Sequence, residues 1–227
     1  MGERLAGKRA VVTCAGDYMG PAICTLFREE GADVVADERD LTDAAAPATL
    51  ILEAGHVDIL IANLSTPADL QPVVEIQDEA WVGAFDGMVH PLMRLVRAVL
   101  PQMMERRAGK IVAITSATPL RPIGPVSAYA SARGAQHVFL QHAGLEAASH
   151  NVQINAVAQN FVKNPDYYPE DKVDGEGFQA FLKSLCPTER FAEGSESAEL
   201  ALFLASENSN FITGQIIPFA GGSAVNV

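Results

Sequence analysis

The sequence predicts an α/β fold: a doubly wound parallel sheet, Rossmann-like, in a single domain spanning residues 1–227. Three observations lead there. Short apolar runs of strand length alternate with longer amphipathic stretches, the pattern of a parallel sheet wrapped by helices. The 227 residues, 48% hydrophobic and 19% charged, suffice for one α/β unit with a sizeable core. No repeat, low-complexity tract or linker divides the chain.

Taken in order, Arg9 to Thr13 reads as the first strand. Tyr18 to Glu30 reads as the first helix, closed by Gly31, whose tolerance of positive φ suits a helix end. Asp33 to Ala36 is the second strand and Val57 to Ala62 the next. The Ala- and Asp-rich stretch between those two holds either a shortened helix or a distorted crossover. Asp78 to Arg107 supports a long helix, with Trp81, Phe85, Met88, Leu92, Leu95, Val96 and Val99 as its core and a bend at His90-Pro91, where proline removes a donor. Ile111 to Thr115 is a buried strand, Ala128 to His150 a helix and Val152 to Val157 a further strand. Gln159 to Thr188 reads as a long loop or lid with a helix around Phe178 to Leu185. A helix from Ser197 to Ala205 and a strand from Gln215 to Phe219 complete the sheet.

Composition narrows the partners. Twenty-eight acidic residues against 16 basic ones give a net charge of −12. With no Lys/Arg cluster, neither nucleic acid nor an anionic membrane is an expected partner. No apolar stretch approaches the length of a bilayer span, and Met1 to Ala6 lacks a signal-peptide layout. Cys14, Cys24 and Cys186 are scattered without a Cys-x-x-Cys pair, as in a reducing, cytoplasmic setting. The five histidines show no metal-ligand spacing, and no metal is expected.

In such a sheet the first strand-to-helix turn ordinarily cradles a dinucleotide pyrophosphate, and needs glycines for close backbone approach. Here it reads Thr13-Cys14-Ala15-Gly16-Asp17-Tyr18-Met19-Gly20. A phenol at Tyr18 would fill that pocket rather than serve it. Asp37 follows the second strand where a ribose-reading carboxylate would stand, though a turn carboxylate reads equally well. No cofactor is expected. The chemistry concentrates further along. Ser116 ends a strand, Tyr129 follows in a helix, and Arg133 lies one helical turn beyond Tyr129 on the same face. A phenol ionises near pH 10, so service as a base near neutrality asks for a fall of roughly 2 to 3 pH units, about 3 to 4 kcal/mol. A permanently charged, planar guanidinium is suited to supply it.

These residues carry a resemblance. The architecture resembles the short-chain dehydrogenase/reductase superfamily, whose first turn is T-G-x-x-x-G-x-G and whose catalytic set is Ser-Tyr-Lys. Laid onto that turn, Cys14 and Tyr18 replace the first two glycines and Gly20 remains, while Arg133 replaces the lysine. Thr13-x4-Tyr18-x-Gly20 together with Ser116-x12-Tyr129-x3-Arg133 resembles the halohydrin dehalogenases, whose motifs are T-x4-F/Y-x-G and S-x12-Y-x3-R.

The resemblance implies a cofactor-independent lyase that converts vicinal haloalcohols to epoxides. Ser116 would bind the substrate oxygen, Tyr129 take its proton and Arg133 hold the tyrosine's charge. Run backwards, azide, cyanide or nitrite would open an epoxide. It implies a halide site built from Tyr18, Asn160, Phe161 and Val162, with the N–H groups of Phe161 and Val162 facing the anion. Asn160 serves there either as a halide contact or as a loop cap. From position alone, Leu120 beside Ser116 and Tyr167 and Tyr168 on the long loop are expected at the substrate pocket, with loop packing as the alternative. Asn63 is expected to be scaffold. The family also implies a homotetramer built through the two long helices and the C-terminal region. A divergent NAD(P)-dependent reductase is the competing reading.

Overall fold

The computed structural model describes residues 3–164, 166–168 and 173–225. Six parallel strands, β1 (Arg9–Thr13), β2 (Asp33–Asp37), β3 (Ile59–Asn63), β4 (Gly109–Ser116), β5 (Val152–Gln159) and β6 (Ile216–Phe219), form one sheet. Their spatial order is β2-β1-β3-β4-β5-β6. The direction of winding reverses beside β1, and ligands of such sheets gather outside the strand ends at that point.

Central strands buried on both faces explain the apolar runs in the sequence. Val11, Leu60, Ile111 and Ile154 face one core, which also holds Leu92, Leu95, Val99 and Leu140. Val12, Ile61, Val112 and Val157 face the other, with Ile23, Phe27, Ala201 and Leu202. Each large aliphatic or Phe side chain so buried contributes about 1.5–3 kcal/mol. The first core is covered by α2 (Ala46–Ala54), α3 (Asp78–Arg106) and α4 (Ser127–Ala148). The second is covered by α1 (Gly20–Glu29) and the helix Gly194–Ala205. Between β5 and that last helix, numbered α6, lies α5 (Glu176–Leu185). Among the described residues no helix is long and apolar enough to cross a membrane.

Several boundaries differ from the sequence expectation, each for a local reason. The first helix begins at Gly20 rather than Tyr18, because Tyr18 has φ +49°, outside the helical region. Asp37 is the last residue of β2 rather than the residue after it. The open stretch before β3 is a helix, α2, entered through Pro47 near its first position. α3 continues through Pro91 and Pro101 as one element. Trp81, expected in its core, is 41% exposed and packs on Phe85, while Met88 is fully buried. α6 begins at Gly194, three residues earlier than expected, where Glu193 and Glu196 form a reciprocal capping box.

Candidate active site

Strand order alone brings the candidate residues together. Thr13, Asn63, Ser116 and Gln159 end β1, β3, β4 and β5 at one edge of the sheet. Tyr129 and Arg133 lie in the first two turns of α4, which begins above that edge. Between them opens a cavity of about 390 Å³, bordered by Ser116, Tyr129, Arg133, Tyr18, Asn160 and Tyr168.

Arg133 is 3% exposed. Its Nη1 donates to the carbonyls of Leu64 (2.9 Å) and Ile114 (3.2 Å) and to Gln136 Oε1 (3.0 Å). Its Nη2 donates to Ser65 Oγ at 2.5 Å, and Nε has no partner. Among the described residues these acceptors are all neutral. The guanidinium carbon stands 5.0 Å from the centroid of the Tyr129 ring. Burial pushes the Tyr129 phenol up, but the Arg133 charge and hydrogen bonds with Tyr167, Arg133 and Ser116 outweigh it, and the net direction is down. The other three tyrosines of the chain border the same cavity and move the opposite way. Burial and Asp166 push Tyr18 up to about 12, burial and Tyr129 push Tyr168 up to about 12, and Tyr167 rises chiefly through burial. Opposed shifts within one site mark which phenol can serve as base.

Ser116 is buried, and its Oγ accepts from the Thr118 N–H at 3.2 Å and meets the Thr118 hydroxyl at 3.1 Å. Asn63 holds the first turn: its Nδ2 donates to the carbonyls of Cys14 (2.9 Å) and Asp17 (3.0 Å). Beneath the site His137 meets the Thr115 hydroxyl at 3.0 Å, and burial, followed by Arg133, lowers its pKa to about 4.

The first turn does not fit a dinucleotide pyrophosphate. Cys14 (φ +44°) and Tyr18 (φ +49°) occupy left-handed positions suited to glycine. Gly20 is needed for a different reason, since a Cβ there would stand 2.4 Å from the Cys14 carbonyl oxygen. The Tyr18 N–H, one of the backbone donors that would face a phosphate, donates instead to the Asp166 carboxylate at 2.7 Å. An anion supplied by the chain itself takes that place, so this backbone donor is not open to a phosphate. Asp37 is buried and ion-paired with Arg39 at 2.5 Å.

The opposite wall departs from expectation in two places. Phe161 has φ +53°, and its N–H donates to Asn160 Oδ1 (3.0 Å), which also accepts from the Tyr168 hydroxyl (3.0 Å). The Phe161 N–H is therefore engaged within the chain rather than turned to an anion, and Asn160 acts as a loop cap. Phe161 itself lies in an aromatic cluster with Tyr168, Phe181 and Phe191. Val162 is buried and bridges to Ala192. Leu120 is not brought to the cavity: the chain turns back after β4, with the Leu120 N–H on the Ala117 carbonyl, and its side chain packs against Ala117, Ala220 and Ala224. Sequence reasoning missed Ser65, Thr118 and Asp166. None belongs to a motif, and only the polar break after the apolar Ile59–Asn63 run hinted at Ser65.

The chain is similar to known proteins along nearly its whole length. A model of the family described as enoyl-(acyl carrier protein) reductase matches residues 32–224. Among curated proteins the chain is 26% identical to the 3-oxoacyl-[acyl-carrier-protein] reductase FabG of Thermotoga maritima, covering 98% of this chain and 100% of that one. It is 30% identical to the L-xylulose reductase of Bos taurus, covering 98% of each. Among solved structures, a "dehalogenation enzyme" superposes with a TM-score of 0.91 at 29% identity, covering 97% of this chain and 99% of the other. The halohydrin dehalogenase HheC bound to ethyl (2S)-oxiran-2-ylacetate superposes with a TM-score of 0.89 at 27% identity, covering 97% and 98%. A 3-oxoacyl (acyl-carrier-protein) reductase from Agrobacterium tumefaciens C58 with NADP bound gives 0.89 at 28%, covering 96% and 95%.

Proposed function

Because the chain belongs to the short-chain dehydrogenase/reductase superfamily and carries an arginine and a self-filled first turn where that fold ordinarily works on nicotinamide, we propose that it is a halohydrin dehalogenase. The observation that carries this reading is the buried Arg133, whose hydrogen-bond acceptors are uncharged. A guanidinium removed from water without an anion is strongly unfavourable. The Tyr129 phenolate beside it is the natural counter-charge, so the pair favours a resting base rather than a donor to a hydride-transfer product.

In the proposed reaction a vicinal haloalcohol enters the cavity with its hydroxyl between Ser116 and Tyr129. The Ser116 O–H donates to the substrate oxygen, and the Tyr129 phenolate removes its proton. The alkoxide electron pair attacks the neighbouring carbon, the C–O bond of the epoxide closes, and the carbon–halogen bond breaks with its electrons leaving on halide. Tyr18, Asn160, Phe161 and Val162 wall the place where that halide departs, with Tyr167 and Tyr168 over the substrate. No step passes through a nicotinamide. In reverse, Tyr129 protonates the epoxide oxygen while azide, cyanide or nitrite opens the ring. We further propose that the active form is a homotetramer joined through α3 and α4.

The reductase relatives and the position of Asp37 favour a second reading, an NAD(P)-dependent reductase. One experiment separates the two: incubation with a vicinal bromo- or chloroalcohol alone, and with NADH or NADPH plus a ketone. Halide release without nucleotide is the expected outcome. Nucleotide oxidation without halide release would overturn it in favour of the reductase, and neither would overturn both.

A further inference from the structure

We propose that Tyr167 is a positioning residue for the base: it ends a hydrogen-bond relay that runs from Arg133 through Ser65, and its hydroxyl hydrogen passes from the Thr66 carbonyl to Tyr129 when Tyr129 loses its proton. The proposal rests on Tyr129 being the base of the proposed reaction and adds a residue outside the Ser-Tyr-Arg set.

Tyr167 is held in place from several sides. Its N–H donates to Asn164 Oδ1 at 2.9 Å. Its ring stacks on Tyr18 at 5.5 Å between centroids and meets the edge of Tyr129 at 6.1 Å. Its hydroxyl donates to the Thr66 carbonyl at 2.5 Å and contacts Ser65 Oγ. Ser65 Oγ also receives Arg133 Nη2 at 2.5 Å.

Donor and acceptor chemistry gives this chain a direction. A guanidinium can only donate, so Ser65 accepts from Arg133 and its own hydrogen turns to the Tyr167 oxygen. The Tyr167 oxygen accepts from Ser65 and has one hydrogen left to give. Two acceptors compete for it, the neutral Thr66 carbonyl and Tyr129. Once Tyr129 is a phenolate it is the charged acceptor, and hydrogen bonds to a charged partner are roughly twice as strong as neutral ones. Tyr167 itself stays protonated, since burial and then Tyr129 push its pKa up. The groups around the two phenols are Arg133 on α4, Tyr18 with its bound Asp166 from the first turn and the loop, Tyr168 from the same loop, and Ser116 at the end of β4. Among these Arg133 is the cation nearest the Tyr129 ring.

The chain offers an unusually clean readout. It has four tyrosines and all four border this cavity, so ultraviolet tyrosinate absorbance reports on the site alone. In the wild type one tyrosine should ionise below the ordinary phenol range, and Tyr129→Phe should abolish that event. Tyr167→Phe should move it up by about one pH unit, the equivalent of tenfold in the ionisation constant. Ser65→Ala should move it in the same direction by less, and adding Ser65→Ala to Tyr167→Phe should add almost nothing, because a serial relay is already cut. The acid limb of the pH profile for halide release should shift with it. An early ionisation that neither Tyr167→Phe nor Ser65→Ala moves would overturn the relay while leaving Tyr129 as base. A wild type in which no tyrosine ionises early would overturn the base assignment and the relay together.

Discussion

Two strand-to-helix connections leave the same edge of the sheet, and they have opposite characters. Between β1 and α1 the chain is closed on itself: Tyr18 sits at positive φ, its N–H is taken by Asp166, and Asn63 ties the turn from below. Between β4 and α4 it is open: Ser116, Tyr129 and Arg133 border a cavity, with the guanidinium buried among uncharged acceptors. Both use the donors and ligand-gathering edge that a parallel sheet provides. What differs is whether the chain fills the strand ends itself or leaves a cavity over them. A fold therefore states where chemistry can happen, and a few side chains state which connection is available for it.

If the open connection carries the reaction, damage there should outweigh damage to the closed one. Tyr129→Phe should cut halide release from a haloalcohol by on the order of 10⁴ with an unchanged circular dichroism spectrum, since it removes the base. A variant at wild-type rate would end the assignment. Ser116→Ala should lose about 10²- to 10³-fold in kcat, the range for one donor to developing charge. Arg133→Gln should lose roughly 10²-fold near neutral pH and recover part of it in base. The sign follows from the charge: without the guanidinium the phenol ionises later, so the rising acid limb of the rate profile moves to higher pH. A thermal melt checks that Gln still fills the site. Arg133→Lys keeps the charge without the fork of donors and should lie between Gln and wild type.

The closed connection should respond more gently. Tyr18→Ala should weaken product inhibition by bromide about tenfold, because the anion loses a packed wall, and should not by itself confer NADH binding measured by fluorescence. Inhibition unchanged in that variant would remove Tyr18 from the halide site. Cys14→Gly is the smallest change. It relieves a left-handed residue at some entropic expense, and a gain of about 0.5–1 kcal/mol should raise Tm by about 1–4 °C with activity intact.

Much of this contrast was legible in the sequence because it rests on periodicity and on a helical turn. Burial of the central strands on both faces produced the apolar runs, and i to i+4 spacing placed Tyr129 and Arg133 on one face. Tyr18 in a glycine position announced the altered turn. What stayed illegible depends on contacts distant in the chain. Asp166 reaches Tyr18 across the cavity, and Ser65 reaches Arg133 and Tyr167 from the end of another strand. Nothing local marks such pairs. Leu120 was misplaced for a related reason: adjacency to Ser116 suggested the pocket, but the turn after β4 carries it toward Ala220 and Ala224. Trp81 fell on the core stripe of α3 by spacing, yet lies near its exposed start.

In the proposed reaction the neutral surroundings of Arg133 would also govern how charge moves through a turnover. With Tyr129 ionised the resting pair is electrically balanced, and a neutral haloalcohol leaves it so. After ring closure the proton on Tyr129 and the new halide cancel, and balance is kept again. Were the halide to leave alone, a buried guanidinium would remain with a neutral phenol, a state the interior disfavours. On that reading departure of the anion would be coupled to loss of the proton, and the molecule would discharge the elements of a hydrogen halide rather than an ion. Product inhibition should then be proton-linked: halide should rebind readily in acid, where Tyr129 already carries its hydrogen, and poorly in base, where it must bring one along.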